Sequence, residues 1–251
     1  MTEPVDLLAI GAHPDDAEVG CGGVLALVVL GGLRVGVADL TRGELATHGT
    51  PQQRSREAER AAAILGVHER IGLGLSDGWV GTEPEHREVV VELIRDLRPR
   101  GVLAPYPEDR HPDHAAAGRL AREACLLAAV GKFSRGSPHR PTALYHYMVH
   151  HPFTPSFVID VSAVWSQRME AVRAYESQFR QAPEARRTEI GGEPFLAFLE
   201  ARARFYGAMA GVERGEPYYS QAPIAVDVVP GLHRAKTDGP PAGPPSYRLF
   251  A

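Results

Sequence analysis

Two short clusters of histidine and aspartate have the residue types and spacing needed to bind a metal ion. The first, residues 12–18 with the sequence AHPDDAE, follows the first apolar run of the chain and opens a helical pattern. His13 and Asp16 are three residues apart across a turn, close enough to hold one ion. The adjacent carboxylates of Asp15 and Asp16 would repel each other without a cation, so one can bind the metal while the other manages protons.

The second cluster, residues 108–114 with the sequence EDRHPDH, also follows an apolar run and also precedes a helical pattern. A catalytic zinc site uses three nitrogen or oxygen ligands and keeps one position for water. His13, Asp16 and His114 supply such a set. His111 and Asp15 then remain for oxyanion stabilisation and general base catalysis. We therefore predict a catalytic metal centre.

Two arginines near these clusters could bind a substrate carboxylate. Arg54 lies on the helix that follows the segment DLTRGE (39–44), and Arg110 lies inside the second cluster. A planar guanidinium group can bind a carboxylate through two parallel hydrogen bonds. From spacing alone, solvated surface arginines are an equally good interpretation.

The remaining histidines and the two cysteines are interpreted as residues without a role in the chemistry. Cys21 is expected to pack beside neighbouring glycines, and with Cys125 it forms no CxxC pair or disulfide framework, which favours a reducing, cytoplasmic setting. Eight histidines are expected in surface or loop positions: His48, His68, His86, His139, His146, His150, His151 and His233.

The elements that must position the clusters alternate between apolar strands and amphipathic helices. Strands buried on both faces are predicted at 5–11, 35–40, 71–75, 101–106 and 157–161. Helices are predicted at 17–30, 51–65, 84–97, 112–130, 163–178 and 193–212. This alternation predicts an α/β fold, a Rossmann-like doubly wound and mainly parallel sheet with helices on both faces. In such a sheet, ligands bind outside the carboxyl ends of the strands, where both clusters fall.

A single α/β domain is expected over residues 1–229. The polar loop 180–192 between the last two helices is interpreted either as a connection between packed helices or as part of a pocket wall. Residues 230–251 are rich in proline and glycine and are expected to form a tail outside the core.

Composition limits the class of partner. The 251 residues carry a formal charge of −4, which gives no electrostatic reason to expect nucleic acid or an anionic membrane as partner. The longest apolar run, residues 24–30, is far shorter than the ~20 residues that span a bilayer. A small-molecule substrate is therefore expected.

Two other classes of protein are alternatives to an enzyme with a catalytic metal centre. Gly20 and Gly22, with Asp39 roughly 20 residues later, partly match a dinucleotide-binding fingerprint, but Leu25 replaces the third glycine and the glycines fall inside a predicted helix. An NAD-dependent oxidoreductase is thus an alternative that needs no metal. A non-catalytic sugar-binding module is another, although it would have no use for Asp15 beside a ligand.

The AHPDDAE and HPDH segments resemble the two defining motifs of the zinc-dependent GlcNAc deacetylases that include the LmbE-like and PIG-L proteins. The resemblance covers roughly residues 5–223. Within the family the chain looks most similar to the bacillithiol-biosynthesis branch, which deacetylates N-acetylglucosaminyl malate. The segments that carry this second resemblance are DLT (39–41), HGT (48–50), 108–114, AYESQF (174–179) and 211–218.

The resemblance implies a role for each matched residue. It implies one Zn²⁺ per chain on His13, Asp16 and His114, although Fe²⁺ and Co²⁺ suit the same ligands. Asp15 would be the general base, a protonated His111 would stabilise the oxyanion, and Asp113 would orient His111 with its carboxylate. Arg54 and Arg110 would face the malate carboxylates. A homo-oligomer, such as the hexamers of that branch, is also implied.

This chain departs from the pattern of the resembled family at Phe195. Some relatives have a tyrosine near this position that assists the transition state, and phenylalanine cannot donate a hydrogen bond. The resemblance leaves open another GlcNAc or thiol conjugate, such as a mycothiol-type inositol conjugate, as the substrate.

Overall fold

The computed structural model describes residues 3–180, 188 and 191–225 of the chain. The predicted tail at 230–251, the predicted domain boundary at 229 and most of the loop 180–192 lie outside the described residues. In the described part, no helix has the length and apolar character needed to cross a membrane.

Seven strands form one mixed sheet in the order β3-β2-β1-β4-β5-β7-β6. The first five run parallel to one another, whereas β7 is antiparallel to both of its neighbours. The strands are β1 (Leu7–Gly11), β2 (Val35–Thr41), β3 (Glu69–Leu75), β4 (Gly101–Pro105), β5 (Ala143–Tyr147), β6 (Phe157–Asp160) and β7 (Gly215–Tyr219).

Helices cover both faces of this sheet. They are α1 (Asp16–Leu30), α2 (Pro51–Leu65), α3 (Pro84–Leu97), α4 (Pro112–Leu127), α5 (Trp165–Arg173), α6 (Glu176–Phe179) and α7 (Glu193–Ala210). Alternate residues of β1 enter different layers: Leu7 and Ala9 join the core under α1, α2 and α5, and Leu8 and Ile10 join the core under α3 and α4. The predicted doubly wound α/β fold is confirmed.

Several elements differ from the prediction. β5 and β7 were not predicted, because β5 carries His146 and β7 carries Glu216 and Pro217, which mask the apolar strand pattern. The predicted strands at 71–75 and 157–161 lie in β3 and β6, which are half-buried edge strands and not buried on both faces. The helix predicted at 163–178 is split into a 3-10 turn, α5 and α6.

The topology brings both sequence clusters to one place. β1 pairs with β2 on one side and with β4 on the other, so the chain reverses its winding direction beside β1. Residues 12–18 leave the carboxyl end of β1, and residues 108–114 follow the carboxyl end of the neighbouring β4. This is the switch point at which doubly wound sheets place their ligands.

Candidate metal centre

A tight turn after β1 brings His13 and Asp16 together. The backbone N–H of His13 donates to the Asp16 carboxylate at 2.9 Å, and the Asp16 N–H donates to the His13 carbonyl at 3.3 Å. Asp15, between them, has a φ of 125°, a conformation that non-glycine residues rarely adopt and that is often held at functional sites.

The three predicted ligands converge in a buried position from the turn after β1 and the first turns of α1 and α4. The Nδ1 atom of His13 lies 3.2 Å from Nε2 of His114, and that nitrogen lies 3.2 Å from a carboxylate oxygen of Asp16. His13 Nδ1 is 3.6 Å from the other oxygen of Asp16. Two imidazole nitrogens and a carboxylate oxygen within one ion's reach form the donor set that suits a zinc-like divalent cation.

The outward nitrogens of both histidines contact carboxylates. His13 Nε2 lies 3.0 Å from Asp77 Oδ1 and 3.3 Å from Asp113 Oδ2, and His114 Nδ1 lies 3.2 Å from Asp109 Oδ1. A proton on each outward nitrogen leaves the inward nitrogen, Nδ1 of His13 and Nε2 of His114, with its lone pair directed at the centre. Histidines that bind metals are commonly oriented by carboxylates in this way.

The electrostatics of the centre favour added positive charge. Burial alone would lower the pKa of His13, but hydrogen bonds with Asp113, Asp16 and Asp77 raise it well above its usual value. Burial likewise opposes the charge of His114, yet Asp16 and Asp109 raise the pKa of His114 to about 9. The carboxylates thus stabilise a cation between them.

A second combination of possible ligands shares His13. Ligand atoms of His13, His111 and Asp113 also lie within 4.8 Å of one another. However, the Asp113 carboxylate accepts hydrogen bonds from the N–H groups of Gly78 and Val80 at 2.7 and 3.2 Å. The first set is the better donor set, because its atoms have fewer competing backbone partners.

Asp15 is buried beside the three ligand residues and pairs with Arg54. Burial raises the pKa of Asp15 to about 7, although the positive charge of Arg54 acts to lower it. An Arg54 nitrogen lies 2.9 Å from the Asp15 carboxylate and also donates to the Pro14 carbonyl. Arg54 is only 4% exposed, so the predicted capture of a substrate carboxylate would require this ion pair to open.

His111 lies close to the ligand residues but is oriented differently from the prediction. Its Nδ1 atom accepts a hydrogen bond from the backbone N–H of Asp113 at 3.2 Å, whereas the Asp113 carboxylate faces the loop after β3. Burial and the nearby charges of His114 and His13 lower the pKa of His111. The backbone N–H at Nδ1 favours a proton on Nε2 of His111, and the Asp113 carboxylate does not contact this ring as was expected.

Arg110, the other predicted substrate residue, is exposed on the loop after β4. It directly precedes His111 in the chain, at the rim of the buried cluster. The structure does not bring Arg110 and Arg54 into a common buried position.

Three residues of the site were missed by sequence reasoning: Asp77, Asp109 and His150. Asp77 follows β3 directly, which is the same signal that identified the two clusters. Asp109 lies inside the second cluster and accepts the N–H groups of His111, His150 and His151 in addition to contacting His114. His150 lies in the loop after β5, within the predicted surface or loop class, but it is half-buried and stacks on His114 with 5.2 Å between ring centroids.

The structure corrects the expectation for His146 and shows the surroundings of Phe195. His146, expected in a surface or loop position, is buried on β5, where its Nδ1 lies 2.9 Å from the Pro105 carbonyl oxygen. Phe195, at the position of the missing tyrosine, is buried between Phe179 and His150, with centroid distances of 5.6 and 6.3 Å.

The glycines that suggested a dinucleotide site lie within α1. Instead of forming a turn between strand and helix, they pack closely against other side chains: a Cβ atom at Gly20 would lie 2.0 Å from the Tyr147 ring, and one at Gly22 would lie 3.0 Å from the Arg168 side chain. The geometry of the dinucleotide alternative is therefore absent from this segment.

Comparison with known proteins agrees with the geometry. The family profile described as PIG-L, GlcNAc-PI de-N-acetylase, matches residues 8–125. The diacetylchitobiose deacetylase of Thermococcus kodakarensis is 32% identical over 243 residues, covering 90% of this chain and 87% of that protein. A 1D-myo-inositol 2-acetamido-2-deoxy-alpha-D-glucopyranoside deacetylase of Streptomyces avermitilis is 29% identical over 246 residues, covering 82% of this chain and 83% of that protein.

Among solved structures, a conserved protein from Thermus thermophilus superimposes with a TM-score of 0.83 and 42% identity, covering 92% of this chain and 100% of that one. Two findings therefore agree. The chain is similar to the Thermococcus and Thermus proteins over about nine-tenths of its length, and its two motifs bring their side chains into one buried cluster. The chain belongs to the PIG-L (LmbE-like) family of deacetylases, enzymes that hydrolyse amide bonds.

Proposed function

We propose that this chain hydrolyses the acetamide group of an N-acetylglucosamine conjugate and releases acetate and a free amine. The observation that carries the proposal is one buried cluster with three converging candidate metal ligands, the buried carboxyl group of Asp15 and a histidine whose Nδ1 accepts a backbone N–H. Two of its relatives are named as deacetylases, one of diacetylchitobiose and one of 1D-myo-inositol 2-acetamido-2-deoxy-alpha-D-glucopyranoside.

His13, Asp16 and His114 would hold the metal ion. We propose zinc, and Fe²⁺ or Co²⁺ would accept the same ligands. A divalent cation in such a site lowers the pKa of water and polarises the acetamide carbonyl.

Asp15 acts as the general base. A group with a pKa of about 7 can accept a proton from water and return it within one catalytic cycle at neutral pH. Arg54 holds the Asp15 carboxylate in place through their ion pair. After the attack on the carbonyl carbon, Asp15 carries the proton that the leaving amine needs.

His111 stabilises the negative charge that develops on the carbonyl oxygen. Because its Nδ1 accepts the Asp113 N–H, its Nε2 carries the proton and can donate it in a hydrogen bond. Removing one such donor typically costs about 10²–10³ in rate.

N-acetylglucosaminyl malate is the first conjugate that we propose as substrate, on the basis of the resemblance to the bacillithiol branch. Arg110 supports it as an exposed cation at the rim. A ring-bearing conjugate, such as a disaccharide or an inositol glycoside, is the second candidate. It is favoured by the engagement of Arg54 with Asp15, which leaves this guanidinium group paired before any substrate carboxylate arrives.

The test uses purified protein of known metal content and three substrates: N-acetylglucosaminyl malate, N,N′-diacetylchitobiose and a GlcNAc-inositol conjugate. Free amine and acetate are quantified with and without a chelator. We expect equimolar release of both products from at least one substrate, loss of activity on chelation and recovery with zinc.

Metal-loaded protein that releases no acetate from any conjugate would overturn the proposed reaction. Release from one conjugate identifies the aglycone class. The homo-oligomer and the cytoplasmic location stay predictions.

A further inference from the structure

Two large apolar side chains lie exposed on the loops beside the metal centre. Trp79, on the loop after β3, is 77% exposed, and Leu45, on the loop after β2, is 68% exposed. The Leu45 side chain reaches the residue that precedes Trp79, because a Cβ atom at Gly78 would lie 2.9 Å from a methyl carbon of Leu45. Single exposed apolar residues need no explanation, but an adjoining pair at the edge of a site does.

The backbone around Trp79 is held by the residues of the site. The N–H groups of Gly78 and Val80, on either side of Trp79, both donate to the Asp113 carboxylate. The Trp79 N–H closes a turn on the Ser76 carbonyl at 3.1 Å. Trp79 is therefore displayed at a set position relative to Asp113, which itself contacts His13.

Leu45 is tied to the same centre through Asp77. One Asp77 oxygen contacts His13 Nε2 at 3.0 Å, and the other accepts the Leu45 N–H at 2.9 Å. Glu44 accepts the Asp77 N–H at 3.0 Å, which joins the two loops a second time. A single carboxylate thus links a predicted metal ligand to the exposed apolar pair.

We propose that Trp79, with Leu45 beside it, forms a stacking surface for a sugar or cyclitol ring joined to the N-acetylglucosamine unit of the substrate. This inference rests on the proposed function and names its substrate class. The face of such a ring presents C–H groups with partial positive charge, and the face of an indole ring is negative. A dicarboxylate aglycone such as malate has no ring face to present.

The position of the pair favours substrate over another occupant. Both loops are connected to the centre through one carboxylate each. Asp77 contacts His13 and accepts the Leu45 N–H, and Asp113 contacts His13 and accepts the Gly78 N–H. Ligand sites combine a few polar groups that fix orientation with aromatic walls that supply contact area. The buried cluster supplies the polar groups for the acetamide end, and Trp79 supplies an aromatic wall at the rim.

The kinetic test compares Trp79→Ala and Trp79→Phe with wild-type protein on two substrates, N,N′-diacetylchitobiose and N-acetylglucosamine. For Trp79→Ala we expect kcat/KM to fall about tenfold on the disaccharide and to stay within about twofold on the monosaccharide. Trp79→Phe should recover most of the loss, because it keeps an aromatic face. Leu30→Ala, at a 75% exposed leucine at the end of α1, is the matched control and should affect neither substrate.

A binding test uses the tryptophans themselves and does not depend on turnover. The chain has two, and Trp165 is only 7% exposed, so acrylamide quenching of the fluorescence reports mainly on Trp79. In the metal-loaded Asp15→Asn protein, the disaccharide should reduce quenching saturably. An equal concentration of the monosaccharide should reduce it much less.

Equal losses on both substrates, or no loss on either, would overturn the inference. Dissociation of an oligomer by Trp79→Ala in analytical ultracentrifugation, without discrimination between substrates, would overturn it in favour of a contact between copies of the chain. If wild-type protein hydrolyses no conjugate, the proposed function fails, and the quenching experiment alone still decides whether Trp79 contacts the second ring.

Discussion

Buried charged residues gather at two places along helix α1, one at its N-terminus and one in its middle. The first is the metal centre. The second, here called the mid-helix cluster, consists of the buried Arg168 and Glu216 and the half-buried Arg202, which approach α1 from α5, β7 and α7, respectively. Both contain ionised groups inside an apolar environment, yet their arrangements differ.

The mid-helix cluster satisfies backbone groups in the middle of α1. The N–H groups of Gly23 and Val24 donate to the two oxygens of Glu216 at 2.8 and 2.9 Å. The Val19 carbonyl accepts from Arg168 and Arg202 at 2.6 and 2.7 Å. In a regular helix the Gly23 N–H would donate to the Val19 carbonyl. Side chains from three other elements therefore stabilise the backbone of α1 at this position.

The difference lies in what the charged atoms face. In the mid-helix cluster the Glu216 carboxylate faces N–H donors and the Arg168 guanidinium, so charges and dipoles are already matched. In the metal centre, protons on the outward nitrogens of both histidines would make the inward atoms of His13, Asp16 and His114 acceptors that face one another. Burial of charge is common to both places, whereas convergence of acceptors distinguishes the site that needs a cation.

The largest effect that tests this comparison is expected for His13→Ala. Removing one of three ligands should abolish stoichiometric metal binding, and deacetylase activity with it, because two ligands rarely hold zinc in proteins. Metal content by mass spectrometry and folding by circular dichroism are the measurements. A folded His13→Ala protein with one metal ion per chain would show that His13 is not a ligand.

Glu216→Ala should affect stability instead. Truncation leaves Arg168 and two N–H groups buried without their carboxylate, and breaking such a buried pair costs about 3–5 kcal/mol of unfolding free energy. Urea denaturation measures this cost. Metal affinity of the folded fraction should be unchanged, and a Glu216→Ala protein of wild-type stability would contradict the assigned role.

The ease of prediction from sequence also differs between the two places. The ligand residues belong to two short motifs, each next to an apolar strand, and β1 and β4 are neighbours in the sheet. Position relative to a strand end was therefore enough to predict that His13 and His114 meet. The sequence contains no comparable signal for the mid-helix cluster, since Glu216 is 192 and 193 residues away from the two residues whose N–H groups donate to it.

Prediction from the sequence was also limited because the sequence does not give the directions in which side chains point. Arg54 was expected near the site, but only the packing of α2 shows that its guanidinium group points at Asp15. Asp113 was expected to orient His111 with its carboxylate, and the structure uses its N–H instead. Asp77 also follows a strand end, but it is a single aspartate outside any cluster of histidine and aspartate, so no motif marked it as the partner of His13.

His111→Ala sharpens the comparison inside the metal centre by separating catalysis from metal binding. We expect kcat to fall about 10²–10³-fold, because the Nε2–H donor to the developing oxyanion is lost. Metal content should stay at the wild-type level, since the ligand set does not include His111. Loss of metal equal to that of His13→Ala would refute this division of roles.

The smallest effect, and the finest test, is expected for Asp109→Asn. The Asp109 carboxylate accepts the His114 Nδ1–H, which leaves Nε2 with its lone pair toward the other ligands. The amide of asparagine can instead donate to Nδ1, which would place the proton on Nε2 and block its use as a ligand. Metal affinity should therefore fall about 10–100-fold, measured by competition with a chromogenic chelator.

The Asp109 variant needs a control for its structural contacts, because the same carboxylate accepts the N–H groups of His150 and His151 after β5. Asp96→Asn, at a 44% exposed aspartate on α3, makes the same chemical change outside the centre and should leave metal affinity unaltered. If Asp109→Asn lowers only the unfolding free energy and leaves metal affinity intact, Asp109 belongs with Glu216 as a structural carboxylate. If affinity falls while the Asp96 variant is unchanged, Asp109 acts on the metal through the tautomer of His114.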